Sequence, residues 1–146
     1  MNVRGAGVAD LAAMAALERT VFGADCYPWF FFRQALDLWP AHTWVAAEGD
    51  VVAGYALGAP ASRRNEGWLM SLAVHPDHRG RGIAMDLAAA IVFSFDRLGF
   101  DRVVLTVAPT NAAAVRLYER LGFHLEAEEA HYFGHGERRW RMVRGL

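Results

Sequence analysis

The sequence predicts a single α/β domain, residues 1–146, built on a mixed β-sheet. Three observations lead to this fold class. The 146 residues suffice for one hydrophobic core and are too few for two domains of ordinary size. Two apolar segments, residues 43–47 and 51–57, flank the tight-turn sequence Glu48-Gly49-Asp50 and predict an antiparallel pair of strands. From residue 68 onward strand and helix patterns alternate, which is typical of parallel strands.

The chain before these strands predicts a short strand and two helices. Residues 1–4 have the composition of a short strand. From Val8 onward apolar residues recur at spacings of three and four, which predicts an amphipathic helix that ends at Gly23. Pro28 opens a second helix through residue 38, and Pro40 closes it, since proline is tolerated in the first turn of a helix but not in its interior.

The second half of the chain supplies the alternating elements. They are an apolar strand at 68–74, a helix at 82–98 stopped by Gly99, a β-branched strand at 102–107, a helix at 111–121 stopped by Gly122, and two last strands at 123–133 and 137–143. The prediction is therefore a mixed sheet of six or seven strands flanked by about four helices.

The charge composition excludes several kinds of chemistry. The 15 basic residues are all arginine, and with 16 acidic residues they leave a formal net charge of -1. A balanced charge gives no indication of a nucleic-acid partner. Because the chain has no lysine, it cannot form a P-loop or a Schiff base, and it has no lysine to act as a general base.

The cysteine and histidine content and the lengths of the apolar runs indicate the setting. A single cysteine, Cys26, cannot form an internal disulfide, and a reducing, cytoplasmic location is expected. The longest apolar run, residues 83–95, contains Asp86 and Ser94 and is shorter than the roughly 20 residues of a spanning helix, so no membrane association is expected. His131 and His135 have the spacing of a helical metal-ligand pair, but Gly134 between them indicates a turn, and no metal is expected.

The most informative segment joins the apolar strand to the long helix. Its sequence is His75-Pro76-Asp77-His78-Arg79-Gly80-Arg81-Gly82. A glycine-rich turn that enters a helix points consecutive backbone N–H groups at one place, and the helix dipole adds about half a positive charge there. Arg79 and Arg81 add further donors for phosphate oxygens. This combination predicts a diphosphate-binding turn, although for Gly-x-Gly alone a helix start with two solvated arginines is equally compatible.

The order of motifs along the chain distinguishes these readings. The run Arg79-Gly80-Arg81-Gly82-Ile83-Ala84 fits the pattern Gln/Arg-x-x-Gly-x-Gly/Ala. About thirty residues later come Asn111-Ala112-Ala113-Ala114 and Leu117-Tyr118-Glu119-Arg120-Leu121-Gly122-Phe123. With these motifs the sequence resembles the GNAT superfamily of acyl-CoA-dependent N-acetyltransferases, and within it the bacterial ribosomal-protein alanine acetyltransferases and their protein N-terminal relatives. The resemblance is dense from about residue 68 to 133.

The resemblance implies a GNAT-like fold with splayed central parallel strands, acetyl-CoA as cosubstrate, and a set of site residues. The backbone of the strand end pairs with the pantetheine arm, the turn and first helical residues hold the pyrophosphate, Asn111 contacts the coenzyme, and Tyr118 is the general acid that protonates the departing thiolate. The implied coenzyme-binding residues are Leu72, Ala73, Val74, Arg79, Gly80, Arg81, Gly82, Ile83, Ala84, Met85 and Asn111. For Tyr118 the alternative is a helix residue packed on the sheet, and for Asn111 an ordinary helix N-cap, which is compatible with coenzyme contact.

The general base departs from the family pattern. Close relatives often carry a glutamate on the strand that here contains Thr106, a residue without charge near neutral pH. Glu66, at the start of the strand before the diphosphate turn, is a substitute candidate, and His131 and His135 on the last hairpin are others; for each, a solvated or strand-end residue is the alternative. An α-amine with a pKa near 7.7–8.0 is about 10% neutral at pH 7, so a weak base favours an N-terminal amine over a lysine.

The acceptor side is less determined by the sequence. Tyr132 matches a tyrosine with which relatives hold the acceptor peptide, whereas Arg138-Arg139-Trp140-Arg141 departs from the more acidic run found there. The aromatic residues Tyr27, Trp29, Phe30, Phe31, Phe32 and Trp39 either form one lip of an acceptor groove or pack a short helix on the core and present a dimer face.

The sequence thus predicts an acetyl-CoA-dependent N-acetyltransferase, monomeric or homodimeric, in which an amine attacks the thioester directly. A peptide or protein α-amine is the leading acceptor, with small-molecule amines close behind. The alternative is a non-catalytic acyl-CoA-binding sensor, for which Thr106 is the main support.

Overall fold

The computed structural model describes all residues, Met1–Leu146, and contains one seven-stranded sheet. The strands are β1 (Asn2–Gly5), β2 (Thr43–Glu48), β3 (Val51–Pro60), β4 (Glu66–Val74), β5 (Arg102–Val107), β6 (His124–Glu129) and β7 (Arg139–Gly145). Their order across the sheet is β1-β2-β3-β4-β5-β7-β6. Only β4 and β5 pair in parallel, and every other neighbouring pair is antiparallel. The predicted mixed sheet is confirmed.

Four α-helices flank the sheet: α1 (Leu11–Phe22), α2 (Trp29–Leu38), α3 (Ile83–Asp96) and α4 (Ala112–Arg120). They form two separate cores, one on each face of the sheet. On one face α1 and α2 pack against Val45, Tyr55 and Leu57. On the other face α3 and α4 pack against strand residues that include Leu69 and Leu105. None of the four helices has the length and apolarity needed to cross a membrane.

The parallel strands β4 and β5 separate soon after they meet. They are paired only over Glu66–Trp68 and Arg102–Val104, at the beginning of each strand. Where they part, the register of β4 against β3 shifts, because Leu57 lies opposite Ser71 and Gly58 lies opposite Leu69, so that Met70 is an extra residue. A bulge of this kind bends its strand, and it accounts for the predicted splay. Beyond Trp68 the edge of β4 that faces β5 has no strand partner.

The differences from the sequence-based boundaries lie at element ends. The predicted strand 123–133 stops at Glu129, so Tyr132 and Phe133 lie in the β6–β7 loop. The helix predicted over 82–98 begins at Ile83, because Gly82 adopts a left-handed conformation with φ of 78°. It ends at Asp96. The strand predicted over 68–74 begins at Glu66, since Glu66 and Gly67 already pair with β5.

Candidate active site

The turn between β4 and α3 forms a cluster of free amide groups. None of the backbone N–H groups from Gly80 to Met85 has a hydrogen-bond partner within the chain, and Gly82 offers no side-chain cap to the helix. Gly80 and Gly82 have φ of 80° and 78°, a conformation that glycine adopts without strain. A Cβ at either position would meet no atom within 4 Å, so the space in front of the amides is open. Six free donors at a helix N-terminus suit an anionic group such as a diphosphate.

The two arginines of this turn differ in their contacts. The Arg79 Nε donates to the Val74 carbonyl oxygen at 3.3 Å, which folds its side chain back over the end of β4. An Nη of Arg81 lies 3.4 Å from Nδ1 of His78. The predicted phosphate-binding role of both therefore depends on their remaining guanidinium nitrogens, while the backbone amides need no rearrangement.

A cavity of about 280 Å³ lies beside the gap between β4 and β5. Its lining comes from five parts of the chain: Tyr27 before α2, Ala59 and Pro60 of β3, Trp68, Leu69 and Met70 of β4, Thr106 of β5, and Tyr132 and Phe133 of the β6–β7 loop. Tyr27 packs against the core of the α1–α2 face, and Thr106 points away from the core on the α3 face because side chains alternate along a strand. The cavity therefore opens on the face of the sheet that carries α1 and α2.

Tyr118 lies on the opposite face. Its residue is 7% exposed within the core beneath α3, and its ring meets the Phe123 ring edge-on at 5.9 Å between centroids. Burial raises the pKa of the Tyr118 phenol to about 12. Its hydroxyl makes no hydrogen bond within the chain and is not one of the fully enclosed polar atoms. The ring is thus fixed by packing, and its hydroxyl is available to a ligand.

Asn111 caps α4. Its side-chain oxygen accepts a hydrogen bond from the backbone N–H of Ala114 at 3.2 Å. This is the ordinary N-cap arrangement that the sequence allowed. Asn111 is exposed, so the coenzyme contact implied by the family resemblance stays a prediction.

Glu66 is placed unfavourably for a general base. Its carboxylate accepts hydrogen bonds from Nε and an Nη of Arg102 at 2.7 and 2.6 Å, and its residue is 5% exposed. It lies where β4 and β5 are paired, at the end of β4 away from the diphosphate turn. Arg102 also contacts Glu126, so the three side chains join the starts of β4, β5 and β6. The carboxylate is engaged in an ion pair with Arg102, so the predicted role of Glu66 as a base has no support from its position and stays a prediction.

The two histidines of the β6–β7 loop are outside the cavity lining. The rings of His131 and His135 stack with centroids 5.1 Å apart, and Nδ1 of His131 accepts a hydrogen bond from the Gly136 N–H at 2.9 Å. Both side chains are exposed. They shape the loop that carries Tyr132 and Phe133, and their predicted role as bases has no support from their position.

The sequence left two alternatives for the aromatic residues between α1 and the end of α2, a lip of the acceptor groove or packing on the core. Each alternative holds for some of these residues. Tyr27 lines the cavity and stacks on Phe31 with ring centroids 4.3 Å apart. Phe32 is fully buried, and Phe31 and Trp39 pack against the same core. Phe30 is 65% exposed, so the expectation that it packs on the core is wrong, because the buried face of α2 is formed by Phe32, Ala35 and Leu36.

Sequence reasoning missed a buried acidic residue next to this segment. Glu18 is 2% exposed, and its carboxylate accepts hydrogen bonds from the Tyr55 hydroxyl and from the Tyr27 backbone N–H. A signal was present: Glu18 follows Leu11 and Met14 at the spacing that faces the core, where a charged residue is unexpected.

Comparison with known proteins assigns this chain to a family. The sequence profile of the Acetyltransferase (GNAT) family matches residues 4–123. The N-terminal acetyltransferase A complex catalytic subunit NAA10 of Arabidopsis thaliana is 33% identical over 150 residues, covering 99% of this chain and 77% of that protein. The L-methionine sulfoximine/L-methionine sulfone acetyltransferase of Salmonella typhimurium is 30% identical over 145 residues, covering 88% and 82%.

Solved structures show the same fold. The ribosomal-protein-S18-alanine N-acetyltransferase from Escherichia coli matches with a TM-score of 0.84 and 21% identity, covering 99% of this chain and 93% of that one. A putative acetyltransferase from Salmonella typhimurium, solved with its cofactor acetyl-CoA, matches with a TM-score of 0.81 and 26% identity, covering 100% and 94%. The predicted fold class is therefore confirmed both by the strand order and by these likenesses.

Proposed function

This chain belongs to the acetyltransferase (GNAT) family, and we propose that it transfers the acetyl group of acetyl-CoA to the α-amine of a peptide or protein. One observation carries the proposal. The gap between β4 and β5 lies beside a cavity on the α1–α2 face, lined by Thr106 and Met70, and Tyr118 lies in the core on the α3 face. An amine held in the cavity and a thioester held from the other face would meet in this gap.

The coenzyme side rests on backbone groups. The free amides from Gly80 to Met85 would hold the diphosphate, and the unpaired edge of β4 at Leu72, Ala73 and Val74 would bind an extended amide-containing arm as a neighbouring strand would. Bound acetyl-CoA supplies an activated acyl group and a thiolate leaving group. The chain's part is to place that group at the gap and exclude alternative orientations.

Tyr118 is proposed as the acid. Its raised pKa keeps the proton on Oη throughout the neutral range, ready for transfer to a departing thiolate. A pKa of about 12 makes a phenol a weaker acid than a thiol with a reference pKa of about 8.5. The same apolar surroundings disfavour a thiolate as well, because burial raises the pKa of every group that becomes an anion. The proton transfer is therefore less unfavourable than the reference values suggest.

The acceptor amine has to arrive neutral, and the cavity offers no carboxylate to deprotonate it. Thr106 is the one residue that β5 contributes to the lining, and it offers a hydroxyl. About 10% of an α-amine is neutral at pH 7, against less than about 0.1% of a lysine side chain. The lack of a base therefore supports an α-amine acceptor, and the name of the Arabidopsis relative agrees with this class.

A screen of acceptors tests the proposal. Release of the coenzyme A thiol is measured with acetyl-CoA and a panel of peptides with free α-amines, the same peptides with blocked α-amines, and free amino acids. Turnover only with free α-amine peptides supports the proposal. Turnover only with free amino acids would contradict it, and the name of the Salmonella relative makes that class an essential arm of the screen.

A second candidate is a non-catalytic acyl-CoA sensor, which Thr106 favours because it stands where relatives often carry a glutamate. Saturable binding of acetyl-CoA in calorimetry with no turnover across the whole panel would select the sensor. Turnover that disappears in Tyr118→Phe would exclude it.

A further inference from the structure

A buried chain of hydrogen bonds connects β4 to the segment that forms one wall of the acceptor cavity. One Glu18 carboxylate oxygen accepts from the Tyr55 hydroxyl, and the other accepts from the Tyr27 backbone N–H at 2.9 Å. The Tyr55 hydroxyl also lies 2.7 Å from Oγ of Ser71. The chain thus runs from β4 through β3 to α1 and ends on the backbone of Tyr27.

Its composition is unusual for a core. Glu18 is 2% exposed and Tyr55 is fully buried, yet no arginine or histidine pairs with the carboxylate. Burial, together with the Glu18 charge and hydrogen bond, raises the pKa of Tyr55, which keeps it a donor. A buried carboxylate is costly unless its hydrogen bonds are made, so the Tyr27 N–H and the Tyr55 hydroxyl are held firmly in place.

The two ends of the chain are both parts of the site. Tyr27 lines the acceptor cavity, and Ser71 is next to Met70, the bulged residue at which β4 turns away from β5. The loop that holds Tyr27 makes few other backbone ties: Cys26 donates to Gly23 within its own turn, and Phe31 bonds to Pro28 at the start of α2. Glu18 supplies the polar contact between this loop and the helix behind it.

We propose that Glu18 is a positioning residue for the acceptor: it fixes the Tyr27 backbone relative to β4 and thereby sets the width of the acceptor cavity. The proposal rests on the function proposed above, since it assumes that the cavity binds the acceptor. Glu18 acts through Tyr27 and does not touch the reacting atoms. Its loss therefore affects acceptor binding and leaves the coenzyme side unchanged.

Three variants separate positioning from stability. In Glu18→Met a side chain of similar size fills the site but offers no acceptor to Tyr27. In Glu18→Gln both contacts can be remade, because the amide oxygen accepts from Tyr27 while the amide nitrogen donates to the Tyr55 oxygen, with Tyr55 donating to Ser71 instead. Ser94→Ala is the control, since it breaks a buried hydrogen bond to His42 of 2.7 Å on the other face of the sheet.

The experiment measures steady-state kinetics with the best peptide of the acceptor panel, calorimetric binding of coenzyme A, and hydrogen exchange at the Tyr27 amide. Glu18→Met is expected to raise the acceptor KM about tenfold, the size of one hydrogen bond to a charged group, with coenzyme A binding unchanged and Tyr27 exchange accelerated. Glu18→Gln should restore most of the KM. Ser94→Ala should leave the KM unchanged, because partial unfolding lowers the concentration of active enzyme and hence the apparent kcat only.

The proposal is overturned if Glu18→Met lowers kcat without moving the acceptor KM, or if Tyr27 exchange is the same as in the wild type. A wild-type protein that acetylates no panel member refutes the proposed function instead. In that case, accelerated Tyr27 exchange in Glu18→Met with protection in Glu18→Gln would still support the tie between Glu18 and the loop, and equal exchange would refute it.

Discussion

The two halves of the proposed site, one for the coenzyme and one for the acceptor, are built in opposite ways. The coenzyme half consists of backbone amides from one continuous stretch, Gly80 to Met85, together with the free edge of β4. The acceptor half consists of side chains from segments far apart in the chain, with Tyr27, Trp68, Thr106 and Tyr132 around one cavity. Backbone groups recognise the coenzyme, which is the same for every enzyme that uses it. Side chains determine the acceptor, which differs from one enzyme to another. A substitution on one side should therefore leave the other side's binding intact.

Tyr118 lies in the core on the α3 face, and loss of its hydroxyl is expected to have the largest effect on turnover. Tyr118→Phe should lower kcat about 100-fold or more, which is the usual contribution of a general acid, with little change in coenzyme A affinity. Steady-state kinetics and calorimetry measure the two quantities. Phe123→Leu is the control, since it disturbs the packing against the Tyr118 ring without removing a hydroxyl. Full activity in Tyr118→Phe would show that the assigned acid is wrong.

The pH dependence follows from the same residue. The donor form of Tyr118 is the protonated one, which is present below its pKa of about 12 and is lost only as the pH rises through that value. We expect kcat/KM to rise with pH as the acceptor α-amine loses its proton near pH 8 and then to stay level to about pH 10. A decline between pH 8 and 10 in rate measurements would contradict a buried tyrosine as the acid.

A negative charge in the diphosphate turn should disrupt coenzyme binding. Gly82→Glu should weaken coenzyme A binding at least about 100-fold, because like charges about 4 Å apart near a protein surface repel by roughly 4 kcal/mol. Gly99→Glu is the control for backbone strain: Gly99 has the same φ of 78° and open space around it, but lies at the other end of α3. Calorimetry that finds equal losses in both variants would attribute the effect to misfolding and remove the turn from the site.

Removal of an aromatic side chain from the β6–β7 loop should weaken acceptor binding. Tyr132→Ala should raise the acceptor KM about tenfold, as expected for an aromatic contact in a binding site, and leave coenzyme A binding unchanged. Kinetics with the best peptide and calorimetry measure the two effects. A parallel loss of coenzyme affinity would show that the two halves are not independent.

The smallest effect on activity is expected where β4 and β5 are paired, at the ion pair between Glu66 and Arg102. Glu66→Gln keeps one hydrogen bond to Arg102, which also retains Glu126, so the free energy of unfolding should fall by only about 1 kcal/mol. Neither kcat nor either KM should change. A loss of kcat with normal thermal stability would restore Glu66 as a catalytic candidate.

The local sequence indicates the proposed coenzyme half more directly than the acceptor half, and the reason lies in the same contrast. The diphosphate turn is local: two glycines at a strand–helix junction determine where the amides point, and the pattern can be read within eight residues. The acceptor cavity depends on tertiary placement. Nothing in the local sequence brings Tyr27 near Thr106, and the strand predicted through Phe133 hid the loop that carries Tyr132.

The local sequence leaves the role of Glu66 open for a similar reason. An acidic residue at the start of a strand is compatible with a base or with an ion pair, and only the pairing of Glu66 with Arg102 across β4 and β5 decides between them. Glu18 could have been noticed as a charge on the apolar face of α1, but its partners Tyr55 and Tyr27 lie 37 and 9 residues away. The mixed sheet and the splay of its parallel strands were predictable because they follow from element order and family resemblance.

The central claim is that a backbone-built coenzyme site serves a cavity suited to α-amines, and one competition tests it most directly. A peptide with a free α-amine and one lysine is compared at pH 7 with the same peptide whose α-amine is blocked, and acetylation is located by mass spectrometry. The chain's own amines give little background, since it contains no lysine. We expect acetylation of the α-amine with kcat/KM at least about 100-fold above that of the lysine, which is the ratio of their neutral fractions. Equal acetylation of both peptides, or none of either despite tight coenzyme A binding, would contradict it.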